Sequence, residues 1–182
     1  MAPLDKPAST RRDFIKCAGA ALIAAAPMSA WARGAECRSL SFVHTHTGEM
    51  LSCVYYQEGG YDPSMLARVN HFLRDFRTAE VHAIDPGVLD ILFAVRSRAD
   101  SNEPFHVISG YRSPATNAYL RGHSSGVAKH SLHMEGRAID VRLPGVPTRE
   151  LRDIALRMRS GGVGYYPASD FVHLDTGRFR SW

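Results

Sequence analysis

The sequence is poor in cysteine, with Cys17, Cys37 and Cys53 the only three among 182 residues. That scarcity excludes a disulfide-built domain and a four-cysteine structural metal site. It also lacks a long hydrophobic run. The marked apolar stretch, Cys17 to Ala26, is 10 residues long and is ended by Pro27, well short of the roughly 20 residues that cross a bilayer as a helix. Charge of one sign is lacking too: 22 Lys and Arg stand against 18 Asp and Glu, a net +4. Four basic and two acidic residues fall in the first 32 positions, so the remainder carries only +2. Nothing in that balance argues for a nucleic-acid partner, whereas a mild positive charge suits an anionic polymer or a plain solvated surface. After residue 33 no internal repeat or low-complexity segment is visible. What is present is 45% hydrophobic residues, enough for the core of one ordinary domain.

The first 32 residues have a different character. Ser9-Thr10-Arg11-Arg12-Asp13-Phe14-Ile15-Lys16 sets paired arginines and a lysine before the apolar stretch, the layout of a twin-arginine export signal. Ala30-Trp31-Ala32 offers small residues where a signal peptidase reads them, so cleavage is expected after Ala32. Residues 1–32 are then a signal peptide, and 33–182 the mature domain, delivered by the twin-arginine translocase without a stable transmembrane anchor. Lys16 stands where lipid attachment at Cys17 would need a small residue. Cleavage leaves Cys37 and Cys53, whose pairing in an oxidising compartment stays open. A hairpin centred on Thr47-Gly48 would not set them opposite each other.

Residues 39–46 and 50–56, rich in Val, Tyr, Thr, Phe and Leu, suggest that hairpin. Asp62-Pro63 and Asp85-Pro86 each supply an N-cap and a first-turn proline. The first helix carries Leu66, Val69, Phe72, Leu73 and Phe76 on one face, and the second Leu89, Leu92, Phe93 and Arg96. A strand is expected over Phe105–Ile108, a helix from Ser113-Pro114, a strand over Ala138–Leu143, a helix over 148–160 capped by Thr148, and a last strand over Phe171–Leu174. The order lacks a regular βαβ repeat, so the expected fold class is α+β, with a small, largely antiparallel sheet and flanking helices.

Of nine histidines, His44, His46, His71, His82, His106 and His123 lack an acidic partner at a telling interval and are read as surface or structural. His130 cannot be placed. In Ser131-Leu132-His133-Met134-Glu135-Gly136-Arg137-Ala138-Ile139-Asp140 a histidine precedes a glycine turn that returns the chain along a strand toward Asp140. Asp170-Phe171-Val172-His173 adds a second imidazole on another strand. Two nitrogens and one carboxylate oxygen suit zinc and leave a fourth position for water, as catalytic sites do.

These segments resemble the zinc D,D-peptidases, the family of D-Ala-D-Ala carboxypeptidases, vancomycin-resistance dipeptidases and murein endopeptidases. The pattern S-x-H-x-x-G-x-A-x-D matches Ser131 to Asp140, and acid-x-x-His matches Asp170 to His173. Ser109-Gly110-Tyr111-Arg112-Ser113 and Gly164-Tyr165-Tyr166-Pro167 extend the likeness across residues 38–182, in particular to the twin-arginine-exported murein endopeptidase branch. The resemblance implies a D-Ala-D-Ala peptidase-like fold with the zinc site at the sheet and one Zn2+ per chain on His133, Asp140 and His173. It also implies Asp170 as general base, where many relatives have Glu, Arg112 steadying the oxyanion, and Ser131 in the substrate cleft. Ser131 as a mere turn cap and Arg112 as a helix-start residue stay open. Asp175 is either a support for a ligand or a surface acid.

The expected activity is hydrolysis of peptide cross-links in peptidoglycan, in the periplasm or cell envelope. Trimming of terminal D-Ala and non-catalytic wall binding are the alternatives. A non-haem iron site has the same ligand types, but it would come with an all-β barrel and a short His-x-Asp pair.

Overall fold

A computed structural model describes residues 36–123 and 126–182. The export segment, its cleavage site and Cys17 lie outside the described residues. The chain opens with β1 (Arg38–His44) and β2 (Met50–Gln57), paired antiparallel about the 45–48 turn, where Gly48 has φ +73°. Alternate residues Leu40, Phe42 and His44 of β1 are buried, the period expected of a strand with one face on the core. A two-residue strand, β3 (Gly60–Tyr61), borders β2.

Helix α1 (Pro63–Phe72) starts where Asp62 accepts hydrogen bonds from the backbone N–H groups of Ser64 and Met65. Helix α2 (Pro86–Arg98) starts likewise on Asp85, which accepts from Gly87 N–H. Each cap satisfies N–H groups that the first helical turn leaves without partners. Phe76 falls beyond the end of α1 and stacks on His46 with ring centroids 4.3 Å apart. Helix α1 packs on β2, and α2 on β1.

The central strands are β4 (Phe105–Ser109) and β5 (Ala138–Arg142), with α3 (Pro114–His123) between them. After β5 come α4 (Thr148–Met158), β6 (Gly162–Tyr166), β7 (Phe171–Asp175) and the short β8 (Arg180–Ser181). The strand order is β3-β2-β1-β4-β5-β7-β6-β8. The sheet is therefore larger than the small one expected. It is mixed, because β1 with β4 and β6 with β8 are parallel pairs and the other pairs are antiparallel. The α+β class holds, and four helices beside one open sheet exclude the all-β barrel that the iron reading required.

Helices α2 and α4 cover the sheet, and the core runs through Leu89, Leu92, Leu151, Ile139, Val141 and Leu174, each at most 1% exposed. Burying one such side chain contributes roughly 1.5–3 kcal/mol. Because side chains alternate along a strand, seating Ile139, Val141, Val172 and Leu174 against the helices turns Asp140 and His173 to the opposite face.

One local expectation needs correction. Thr148 does not cap α4: Pro147 occupies the cap position with no side-chain bond, and the Thr148 hydroxyl goes to Asp170. Cys37 is exposed and Cys53 buried, both as free thiols, and Cys53 pairs in register with Leu40, three positions from Cys37. Among the described residues no helix is long and apolar enough to cross a membrane.

Candidate metal centre and cleft

His133 sits in a 3-10 turn, Leu132–Glu135, between β4 and β5. Ser131 caps the turn by accepting from His133 N–H at 3.4 Å. Gly136 closes it in the left-handed conformation, φ +65°. A side chain there would run into the Ala83 carbonyl, and the Gly136 carbonyl accepts from Asp85 N–H at 2.9 Å. Glycine is thus needed twice, for φ and for room. Directly after this turn β5 carries Asp140 into register with His173 of β7.

Their side chains converge. The Nε2 of His133 lies 3.1 Å from Nδ1 of His173 and 3.2 Å from Asp140 Oδ1, and His173 Nδ1 lies 2.9 Å from the same oxygen. All three residues are buried, and one ligand atom from each falls within 4.8 Å of the others. The far nitrogen of each ring has an oxygen acceptor: Nδ1 of His133 donates to Gly110 O at 2.7 Å, and Nε2 of His173 donates to Asp175 Oδ2 at 3.0 Å. The ring protons being placed there, two imidazole lone pairs and a carboxylate aim at one point. Only a proton or a cation makes that arrangement favourable.

The electrostatics agree. Burial alone would lower the His173 imidazole, yet its hydrogen bonds to Asp140 and Asp175 overcome this and raise it to about 9. Burial lowers His133, with partial opposition from Asp140. Asp140 is held below the usual carboxylate range because contacts with both imidazoles outweigh its desolvation. Borderline nitrogen and hard oxygen donors, gathered without cysteine, fit Zn2+.

Asp175 is buried, not a surface acid. It accepts from Gly162 N–H, Gly177 N–H, both Arg180 Nη atoms and His173. Those donors hold it ionised against its burial and fix the orientation of the His173 ring.

Over the cluster lies a cleft of about 590 Å³, with Arg112, Ser131, Tyr166, Arg180 and Trp182 among its walls. Ser131 both caps the turn and lines this cleft. Arg112 follows β4, its Nη2 3.4 Å from Asp140 Oδ2 and its Nε buried without a partner. Its backbone is fixed on two sides: Arg112 N–H donates to His133 O, while Tyr111 N–H donates to Leu73 O and Ser113 N–H to Asp75. Burial lowers the guanidinium, with Asp140 opposing.

Asp170 is the expected site residue that the fold does not bring to the cluster. It stands in the left-handed conformation, φ +50°, with its carboxylate on Arg142 Nη1 at 3.0 Å and Thr148 Oγ1 at 3.2 Å. Its neighbours Ser169 and Phe171 line the cleft, while its own carboxylate is taken up by Arg142 and Thr148. Tyr166, Arg180 and Trp182 were missed as site residues, although Gly164-Tyr165-Tyr166-Pro167 carried part of the resemblance.

A buried two-histidine, one-carboxylate cluster beneath an open cleft on an α+β sheet is the arrangement of a metal-dependent hydrolase. The chain belongs to the M15 peptidase family described as peptidoglycan L,D-endopeptidase MepK, whose family model matches residues 32–182. It is similar to the peptidoglycan L,D-endopeptidase MepK of Escherichia coli (strain K12), 42% identical over 182 residues that cover 98% of this chain and 100% of that protein. The Shigella flexneri protein of the same name gives the same identity and coverage. A probable peptidoglycan L,D-endopeptidase MepK of Haemophilus influenzae is 43% identical over 146 residues, 80% of this chain and 78% of that one.

Proposed function

We propose that this protein is a zinc-dependent peptidoglycan endopeptidase that hydrolyses peptide cross-links of the L,D type named for its relatives. One Zn2+ per chain would be held by His133, His173 and Asp140. The observation that carries the reading is the convergence of a buried carboxylate and two buried imidazoles whose far ring nitrogens are bonded elsewhere. The zinc ion, when bound, supplies a Lewis acid and brings the pKa of its water toward about 7.

The chain's own groups do the rest. Arg112, a cation in a largely buried position at the cleft wall, stabilises charge developing on the carbonyl oxygen. Ser131 offers its hydroxyl to the peptide. Asp170 takes the proton of the attacking water and passes it to the amine as the C–N bond breaks, leaving one carboxylate and one amine. That role rests on its place three residues before His173 and beside the cleft, and it requires the carboxylate to leave Arg142 and Thr148.

An endopeptidase is favoured over a carboxypeptidase by the cleft's charges. Recognition of a free terminal carboxylate needs a further unpaired cation, whereas Arg180 is bound through both Nη atoms to Asp175 and Arg112 is given to the scissile carbonyl. We further propose export by the twin-arginine translocase, removal of residues 1–32 and action in the periplasm or cell envelope. The test is to incubate the mature protein with isolated sacculi and chromatograph the released muropeptides. Loss of cross-linked dimers, prevented by EDTA, supports the reading. Persistence of those dimers with zinc bound turns it toward a non-catalytic wall-binding protein.

A further inference from the structure

Trp182 lies outside the motif, nine residues beyond His173, and it stands at the metal cluster. Its ring centroid is 5.2 Å from that of His173. Its backbone extends the sheet, with Trp182 N–H donating to Val163 O and Tyr165 N–H donating to Trp182 O. Gly164 makes the room: a Cβ there would stand 2.7 Å from the indole. On another side the Arg180 guanidinium lies 4.8 Å from the ring centroid, itself held by Asp175. The ring is pinned without being covered, for the residue is 50% exposed and lines the cleft.

Its polar atom is already used. Trp182 Nε1 donates to Tyr166 Oη at 2.8 Å, so the indole surface left facing the cleft is apolar carbon. Tyr166 is fixed in turn by stacking on Phe171, centroids 4.6 Å apart. Having accepted from the indole, the Tyr166 hydroxyl keeps its own proton, which has no acceptor among the described residues, and it too lines the cleft. A pinned, half-exposed aromatic ring beside a buried reaction centre offers a large apolar surface on which a ligand can pack.

We propose that Trp182 is a substrate-binding residue. Its indole is the apolar wall on which an aliphatic side chain of the peptide next to the scissile bond packs. Its N–H holds the Tyr166 hydroxyl as a donor to a carbonyl of the same peptide. This rests on the peptidase reading above and assigns one wall of that site. Position, not chemistry, is its contribution, so binding should suffer more than turnover.

Steady-state hydrolysis of a cross-linked muropeptide dimer purified from sacculi tests it with the zinc-loaded protein. Trp182→Ala should raise KM about tenfold, the effect of losing one aromatic contact. It should leave kcat within about twofold and zinc at one per chain, and Trp182→Phe should recover most of the loss. An unchanged KM overturns the proposal, as does a fall in kcat alone or a loss of zinc, which would make Trp182 a support for His173. Should Trp182→Ala fail to fold, fluorescence decides. Trp31 and Trp182 are the two tryptophans of the chain, and Trp31 lies in the segment proposed to be removed, so the mature protein reports on Trp182 alone. Its emission should change saturably when muropeptide monomers are added, and a flat titration overturns the proposal. If the parent protein leaves sacculi intact, the peptidase reading fails first, and the same titration still judges Trp182 as a binding wall.

Discussion

His173 donates its Nε2 proton to Asp175 Oδ2 at 3.0 Å, and that bond leaves Nδ1 turned toward Asp140 and His133 to take a proton or a cation. Asp175 needs its other donors to do this, because a carboxylate buried without them would take up a proton itself. Asp175→Asn keeps the shape and loses the charge. It should weaken zinc binding about 10- to 100-fold, the range seen when a ligand's hydrogen-bonded support is removed. Competition against a calibrated chelator measures it. Unchanged affinity would mean that the His173 ring is held by packing alone.

Gly136 joins the His133 turn to β5 in a conformation that other residues adopt at a cost, with the Ala83 carbonyl where a side chain would go. Gly136→Ala should lower stability by about 2–5 kcal/mol, combining backbone strain and overpacking. Because the turn carries His133, zinc content should fall with it. Thermal melting and metal analysis on the same sample check both; a variant melting like the parent contradicts the geometry.

Asp170→Asn should retain zinc and lose about 10²–10⁴-fold in kcat if its carboxylate is the proton acceptor. Loss of metal instead would make Asp170 a ligand. Retained activity would leave it as a rim residue paired with Arg142 and Thr148.

Asp75 accepts from Ser113 N–H and Arg77 N–H and so fixes the segment that carries Arg112. Burial would raise this carboxyl, but those bonds together with the Ser113 and Thr116 hydroxyls hold it at about 2 in place of 3.8. Between those values the unfolded chain binds more protons than the folded one, so stability is present above about pH 4 and is lost as pH falls toward 2. Urea unfolding at stepped pH should show this slope in the parent and a shallower one in Asp75→Asn. Parallel slopes would remove Asp75 from the acid response.

The hairpin, the three proline-started helices and the strands of Asp140 and His173 were legible because each has a local cause: a cap, a turn or a period. His133 and Asp140 were legible as a pair because a turn of fixed length joins them. What stayed hidden depends on partners distant in sequence. Residues Arg180 and Ser181 pair parallel with β6, which no two-residue pattern announces, and Trp182 reaches the cleft only through that pairing. Asp170 was read by its spacing from His173, but its direction is set by Arg142, 28 residues earlier, and by a left-handed backbone that spacing does not encode. Thr148 went to the same carboxylate and not to its helix, which explains both departures at once. The burial of Asp175 likewise came from Arg180 and two glycine N–H groups that meet only in the folded sheet.

Cleavage of the wall is proposed to depend on zinc at His133, Asp140 and His173. Metal-stripped protein titrated with zinc and assayed on sacculi addresses it directly. Loss of cross-linked muropeptide dimers should rise with added zinc and level off at one equivalent per chain, and His133→Ala should neither bind that equivalent nor cleave. Dimers that persist at full zinc occupancy, or a His133→Ala protein that still removes them, would contradict it.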